Sequence, residues 1–282
     1  MVTKADYRRD EVEICLSVMV ELMTVLGDFR DSLVLVGGWV PYFLFEDKKE
    51  QHTGSLDIDV ALDFEEISDK TYRTILQLLE KRGYEQGPQP FIFYRTVNRE
   101  VGGPVTVEID FLTAEYGGTG KTHRTQRVQD IRARKARGCD LAFRHSYSVK
   151  LYGKMPDGAK NKMAIKVAGV IPFLVMKGMV LSSRYKEKDA YDIYFTILHY
   201  PGGPLGLAKV FEPLNSNRLV REGLGKIRDK FGHIDASGPV WVVNFLEIDN
   251  EEERERVKRD VFERVNALLD ELNIEPFEEG KL

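Results

Sequence analysis

The 282-residue sequence has too few cysteines, and too short apolar runs, for several common classes of protein. Its two cysteines, Cys15 and Cys139, lie far apart, which indicates neither a disulfide framework nor a cysteine-rich metal site. No apolar run reaches the length needed to cross a bilayer. The first residues, M-V-T-K-A-D-Y-R-R-D, lack the apolar segment of a signal peptide. We therefore expect a soluble, cytoplasmic protein without a membrane partner.

Two further kinds of site are also absent from the sequence pattern. The five histidines show no metal-ligand spacing, so a zinc centre is not expected. The run G-G-T-G-K-T at residues 117–122 resembles part of a phosphate-binding loop, but that pattern requires glycine where Glu115 stands.

The chain is acidic overall, with a net charge of −4, which argues against nucleic-acid binding by the whole surface. The charge is uneven, because residues 121–137 (K-T-H-R-T-Q-R-V-Q-D-I-R-A-R-K-A-R) are strongly basic. Two interpretations of this segment are open. It either recruits a phosphate-bearing partner or forms an ordinary solvated surface.

Hydrophobic periodicity predicts two kinds of structure along the chain. Up to residue 115, segments with helical spacing alternate with short strand-like runs, and beyond residue 169 the pattern is mostly helical. The expected fold class is α+β, a mixed sheet flanked by helices and followed by a mainly helical C-terminal domain. Strands are predicted at 33–36, 56–62, 91–97, 105–112 and 162–168, and helices at 5–28, 40–45, 67–82, 171–183, 187–199, 217–230 and 250–272.

These elements predict three segments. Residues 1–30 form an N-terminal helix that packs on the core. Residues 31–168 form the core itself, with a basic and irregular segment at 116–150. Residues 169–282 form the helical domain, in which Pro201 to Pro204 (P-G-G-P) marks a break between helices.

Two carboxylates, Asp57 and Asp59, alternate with aliphatic residues in one predicted strand. Residues i and i+2 of a strand point to the same face, and neighbouring like charges are tolerated when water or a cation lies between them. Asp110 stands in a second such alternation, V-T-V-E-I-D-F-L. If the two strands are neighbours, the three carboxylates form a Mg²⁺ site with room for two ions. The alternative is a solvated face, on which Glu108 lies beside Asp110.

Two glycine-containing segments come before Asp57 in the sequence. Gly54 and Ser55 come directly before the strand with Asp57, where backbone amides and a hydroxyl can hold phosphate oxygens. Gly37 and Gly38 follow the first predicted strand and would allow the backbone to approach the same pocket.

The order L-V-G-G, G-S-L-D-I-D and V-E-I-D resembles the nucleotidyltransferase fold of the DNA polymerase β superfamily. This resemblance implies that Asp57, Asp59 and Asp110 are the catalytic and metal-binding residues, with a two-ion Mg²⁺ site. It also implies that the glycine and serine positions bind the nucleotide triphosphate, namely Gly37, Gly38, Gly54 and Ser55.

A second segment, F-L-V-M-K-G-M-V-L-S-S-R-Y-K-E-K-D-A-Y-D-I-Y, resembles the helical part of AbiEii-type nucleotidyltransferases, the toxins of type IV toxin–antitoxin systems. The resemblance implies nucleotide-binding roles for Lys177, Arg184, Asp189 and Asp192, in which Asp192 positions Lys177 against the triphosphate. Without the resemblance, Lys177 is a polar position on an amphipathic helix and K-E-K-D is a charged helix start.

The sequence thus predicts a Mg²⁺-dependent nucleotidyltransferase that moves a nucleoside monophosphate from an NTP to an acceptor hydroxyl. A tRNA or a protein is the expected acceptor, and the toxin resemblance implies a cognate antitoxin as a partner. Two alternatives stay open. One is a small-molecule nucleotidyltransferase of the antibiotic-modifying type, and the other is a non-catalytic nucleotide-binding module of the same fold.

Overall fold

The computed structural model describes residues 2–63, 69–99, 102–114, 125–128 and 131–278. The chain forms two compact units. We call the first the sheet unit; it comprises Tyr7–Phe43 and Gly54–Gly169. The second, the helical unit, comprises Met1–Asp6, Leu44–Thr53 and Val170–Leu282. The α+β fold class and the helical C-terminal region are confirmed, although the sequence assigned residues 44–53 to the core.

The sheet unit is built on a mixed sheet. Its strands are β1 (Leu33–Val36), β2 (Asp57–Leu62), β3 (Tyr84–Gln86), β4 (Ile92–Val97), β5 (Val105–Thr113), β6 (Thr125–Val128), β7 (Ile131–Lys135), β8 (Ser146–Lys154) and β9 (Lys160–Ala168). Their order is β3-β4-β5-β2-β1-β9-β8, with β7 also paired to β5 and β6 to β7. The pairs β2–β5, β1–β9 and β5–β7 are parallel and the others are antiparallel.

Four α-helices accompany the sheet in sequence: α1 (Arg9–Val25), α2 (Val40–Leu44), α3 (Asp69–Lys81) and α4 (Cys139–Arg144). Helix α1 buries Cys15, Val18, Met19 and Leu22 at helical spacing and contacts β2, β5, β8 and β9. The buried Glu21 of this helix accepts a hydrogen bond from Arg95 Nε of β4 at 2.8 Å. Short 3₁₀ turns occur at Lys4–Asp6, Gly27–Ser32, Gly37–Trp39, Glu46–Gln51 and Glu212–Leu214.

The helical unit contains α5 (Val170–Leu181), α6 (Glu187–His199), α7 (Gly203–Phe211), α8 (Arg218–Phe231), α9 (Ser237–Phe245) and α10 (Glu251–Glu271). Asn217 and Asn250 cap α8 and α10 through their side-chain oxygens. Helices α5 and α8 cross closely, since a Cβ atom on Gly178 would lie 2.0 Å from the carbonyl oxygen of Gly223. In the described ranges, no helix is both long and apolar enough to span a membrane.

The prediction that residues 116–150 are irregular is wrong for the described part of that segment, which contains β6, β7, α4 and the start of β8. Its basic strands lack apolar alternation, and they form because β7 pairs with the end of β5. The P-G-G-P break also begins a helix, because Pro204 occupies the first turn of α7. Residues 117–122, weighed as a phosphate loop, lie outside the described residues.

Candidate active site

Strands β2 and β5 bring four carboxylates onto one face of the sheet. Their parallel register pairs Asp57 with Glu108 and Asp59 with Asp110. Side chains at paired positions, and at every second position of a strand, share a face. We call these four residues the carboxylate face. The strand adjacency on which the sequence prediction depended is therefore present.

The carboxylate face runs from partial exposure towards the interior. Asp57 and Asp59 are half-buried, whereas Asp110 is only 7% exposed. The alternate positions of both strands are apolar and fully buried, namely Ile58, Val60, Ile109 and Phe111. Burying a carboxylate costs free energy unless hydrogen bonds or a cation compensate, so the position of Asp110 is energetically demanding.

Glu108 was not among the predicted site residues, although it alternates with Asp110 in the sequence. Its position opposite Asp57 depends on the register of β5 against β2, which no local pattern specifies. Tyr94 of β4 pairs with Glu108 on the other side. Desolvation, the charge of Glu108 and a hydrogen bond to it raise the pKa of Tyr94.

Gly37 sets the position of Asp59. It follows β1 with φ of +71°, and a Cβ atom there would lie 1.8 Å from Asp59 Oδ2. Glycine is required at this position for two reasons: the backbone is left-handed, and the Asp59 carboxylate occupies the place of a side chain. Gly38 is buried in the same 3₁₀ turn. A nucleotide contact by either glycine stays a prediction.

The start of β2 is held by three side chains. Ser55 Oγ donates a hydrogen bond to Asp57 Oδ1. Trp39 Nε1 donates to the Asp57 carbonyl at 2.9 Å, and the Cys15 thiol lies 3.7 Å from the same oxygen. Burial, and then the charge of Asp57, raise the pKa of Cys15, so its thiol stays protonated. The roles of Trp39 and Cys15 here could not be predicted, because both contacts join distant parts of the sequence.

The donor chemistry of the carboxylate face suits Mg²⁺, which prefers carboxylate oxygens. Within the described ranges, no group of three or more His, Cys, Asp or Glu side chains is arranged to hold a metal ion. Mg²⁺ commonly binds one or two carboxylates and takes its remaining ligands from water and substrate phosphates. The residues therefore fit a site that a nucleotide completes, and the three-carboxylate centre stays a prediction.

Lys177, Arg184, Asp189 and Asp192 lie together in the helical unit. The Lys177 ammonium donates to Asp189 Oδ1 and to Asp192 Oδ2, both at 2.7 Å. Arg184 Nε donates to Asp189 Oδ2 at 2.9 Å. Both aspartates are buried, whereas the Arg184 side chain is 44% exposed. We call these residues, with His52 and Lys188, the buried ion cluster.

The sequence did not indicate two members of the buried ion cluster, Lys188 and His52. Lys188 Nζ donates to both oxygens of Asp192, at 2.9 and 3.0 Å. His52 Nε2 lies 3.1 Å from Asp192 Oδ1, and it carries the proton because an ionised carboxylate only accepts. An i, i+4 spacing could have indicated Lys188, but His52 is far from α6 in sequence.

The pKa directions describe a mutually stabilised network. Burial alone would lower the pKa of Lys177, but the charges of Asp189 and Asp192 raise it above its usual value. Burial opposes ionisation of Asp192 as well, yet Lys177 and Lys188 lower its pKa. Burial lowers the pKa of His52 to about 4, so it is neutral at pH 7.

No family model and no curated protein matches the chain. Among solved structures, the chain is similar to an antigenic nucleotidyltransferase-like protein from Paracoccidioides brasiliensis, with 20% identity and a TM-score of 0.44 over 82% of this chain and 93% of that one.

Proposed function

We propose that the protein is a nucleotidyltransferase whose reaction centre is the carboxylate face. The observation that carries this proposal is the register that sets Asp59 beside Asp110, with Asp57 two residues away. A scaffold gains nothing from placing like charges together and burying one of them, since both features cost stability. A site for a cation and a phosphate-bearing substrate explains both.

The proposed reaction is in-line attack of an acceptor hydroxyl on the α-phosphorus of an NTP. A bond forms between the acceptor oxygen and phosphorus, the bond to the bridging oxygen breaks, and pyrophosphate leaves. Mg²⁺, when bound by Asp57 and Asp59, supplies charge neutralisation for the phosphates. Asp110 takes the proton of the acceptor hydroxyl, and the Ser55 hydroxyl and the Gly54 backbone hold phosphate oxygens.

A finer proposal concerns the biological role. The sequence resemblance supports a type IV toxin that modifies tRNA or protein and is opposed by a cognate antitoxin. It also supports a contact between the triphosphate and two cations of the buried ion cluster, Lys177 and Arg184, with Asp192 and Asp189 holding them. These roles rest on the resemblance alone.

The test is transfer of label from each α-labelled NTP, with Mg²⁺, to total tRNA, cell protein or aminoglycosides. We expect label in one acceptor pool and at least about 100-fold less transfer by Asp59→Asn and Asp110→Asn, since removing one such charge-stabilising group costs several kcal/mol. Glu85→Gln, on the exposed part of β3 in the same unit, is the matched control and should retain full activity.

The acceptor pool decides between the alternatives. Label on an aminoglycoside would establish the small-molecule enzyme in place of the toxin. Nucleotide binding by calorimetry without transfer to any pool would favour the non-catalytic module. Transfer that survives both aspartate substitutions would overturn the proposed reaction centre.

A further inference from the structure

Strands β8 and β9 form a long antiparallel hairpin at one end of the sheet. The register pairs Tyr152 with Lys162 and Lys154 with Lys160, and it places Lys150 two positions from Tyr152. Paired and alternate positions share a face. We call this set of four lysines and one tyrosine the lysine face.

The lysine face points to solvent, because the other face of the hairpin is covered. Leu151 and Ile165 are 2% and 4% exposed. Met163 Sδ lies 3.8 Å from Thr24 Oγ1 of α1. Tyr152, by contrast, is 61% exposed, and the four lysines of the face are all exposed. The alternation of burial along both strands therefore fixes which side is accessible.

The lysine face has no neutralising carboxylate among the residues that the structure describes. No acidic residue occupies β8 or β9, and the four lysines make no ion pair with any residue that the structure describes. Asp157, in the turn of the hairpin, pairs instead with Arg82 at 3.7 Å. In a chain with a net charge of −4, this concentration of one sign is a local exception.

Protection of a sheet edge explains only part of this pattern. Lysines on an edge strand prevent edge-to-edge aggregation, and β8 is an edge strand. Lys160 and Lys162 lie on β9, several residues before the position at which β9 pairs with β1 (Val167 with Leu35), so edge protection accounts for their charge as well. An exposed tyrosine among the lysines adds an apolar surface that edge protection would avoid.

We propose that the lysine face binds the single-stranded part of an RNA acceptor, with lysines on the phosphates and Tyr152 stacked on a base. Cationic grooves with exposed aromatic side chains are the usual means of binding single strands. Lys150 and Lys154 lie about 13 Å apart along the strand, which is long enough for more than one phosphate. A membrane is the weaker candidate, because the face carries one aromatic side chain and no apolar stripe.

This inference rests on the proposed function, which it sharpens by naming RNA as the acceptor class. Binding is measured without NTP, by fluorescence anisotropy of a labelled 20-nucleotide single-stranded RNA and of total tRNA, over a range of salt. The test variant carries K150Q, K154Q, K160Q and K162Q. The matched control removes the same number of positive charges from exposed positions elsewhere, with K4Q, K81Q, K209Q and R259Q.

We expect the test variant to bind at least about tenfold more weakly at 100 mM salt, and its affinity to depend less on salt, because fewer counterions are released. The control should stay within about twofold of wild type. Tyr152→Ala should weaken single-strand binding about tenfold while Tyr152→Phe retains it. The four Lys→Arg changes should preserve binding, which separates loss of charge from loss of folding.

Equal weakening in the test and control variants, or no RNA binding by the wild type, would overturn the inference. Binding of vesicles with anionic lipid, lost in the test variant while RNA binding persists, would replace RNA with a membrane. If RNA binding requires the lysine face but no label is transferred, the RNA-binding role of the face is supported and the proposed function is refuted. If the test variant transfers label to RNA as well as the wild type does, the proposed function is supported and the role of the lysine face is refuted.

Discussion

The carboxylate face and the buried ion cluster are both dense groups of charged side chains, but they differ in the signs of the charges that they bring together. In the buried ion cluster, every aspartate is matched by cations, and Asp192 alone accepts from Lys177, Lys188 and His52. In the carboxylate face, four groups of one sign stand in register. Removing one member of the buried ion cluster leaves an uncompensated buried charge, whereas like charges held in register are suited to a ligand of opposite charge.

The largest expected effect is the loss of Asp192. Asp192→Ala would leave two buried ammonium groups, Lys177 and Lys188, without their shared carboxylate, and we expect a loss of about 3–5 kcal/mol in the free energy of unfolding. Urea denaturation measures it. Arg184→Ala, which removes a partly exposed partner, should cost about 1 kcal/mol or less. Similar costs for both would break the contrast between the two clusters.

The buried ion cluster should also make stability depend on pH through His52. Its pKa is about 4 in the folded state and 6.5 when unfolded. Below pH 6.5 the unfolded state takes up a proton that the folded state refuses, so stability falls by about 3 kcal/mol between pH 6.5 and pH 4. His52→Gln should flatten this part of the profile. His233→Gln, at an exposed position, should leave it unchanged.

In the carboxylate face, the backbone contact at Gly37 predicts an intermediate effect. Gly37→Ala would strain a left-handed residue and push a methyl group against the Asp59 carboxylate. We expect a loss of about 1–3 kcal/mol in unfolding free energy, together with loss of nucleotidyl transfer. Gly103 has a similar backbone φ of +78°, and a Cβ atom there would have nothing within 4 Å. Gly103→Ala therefore measures the cost of backbone strain without a clash between the methyl group and a neighbouring side chain. Equal activity in both variants would show that Asp59 does not depend on Gly37.

The smallest stability change should come from the carboxylates themselves. Asp59→Asn removes repulsion between neighbours of like charge, so unfolding free energy should stay constant or rise by about 1 kcal/mol or less, while transfer is lost. Thermal unfolding without Mg²⁺ measures this. A loss above 2 kcal/mol, roughly the range for a structural charge, would place Asp59 with the buried ion cluster as a stabilising residue.

Local pattern was sufficient for the elements that carry the carboxylate face. Strands β1, β2, β4 and β5 were predicted to within one residue of their observed ends. Apolar residues alternate with polar ones in β2 and β5, and β1 is a short run of buried apolar residues. The strands β3, β6, β7 and β8 and the short helix α4 were missed. So were α7, which begins inside a glycine–proline break, and α9. Pairing and packing with other segments determine these elements, and the residues of each segment alone did not indicate them.

The candidate site also combines residues that local pattern predicts with residues that only long-range contacts bring into place. The three aspartates were identifiable from alternation and spacing. The register that adds Glu108, the collision that requires Gly37 and the hydrogen bond from Trp39 all join residues distant in sequence. The sequence did not indicate a role for His52, which is buried against α6. Sequence thus indicates which groups can do chemistry, while long-range contacts determine which of them meet.

The close crossing of α5 and α8 has a consequence for motion. A Cβ atom on Gly178 would meet the Gly223 backbone, and one on Gly223 would lie 2.8 Å from the Val175 carbonyl oxygen. Helices in such backbone contact cannot slide or rotate against each other without overlap of main-chain atoms. Lys177 adjoins this contact on α5. Any displacement of the Lys177 ammonium must therefore come from its own side chain or from a shift of both helices as one rigid body.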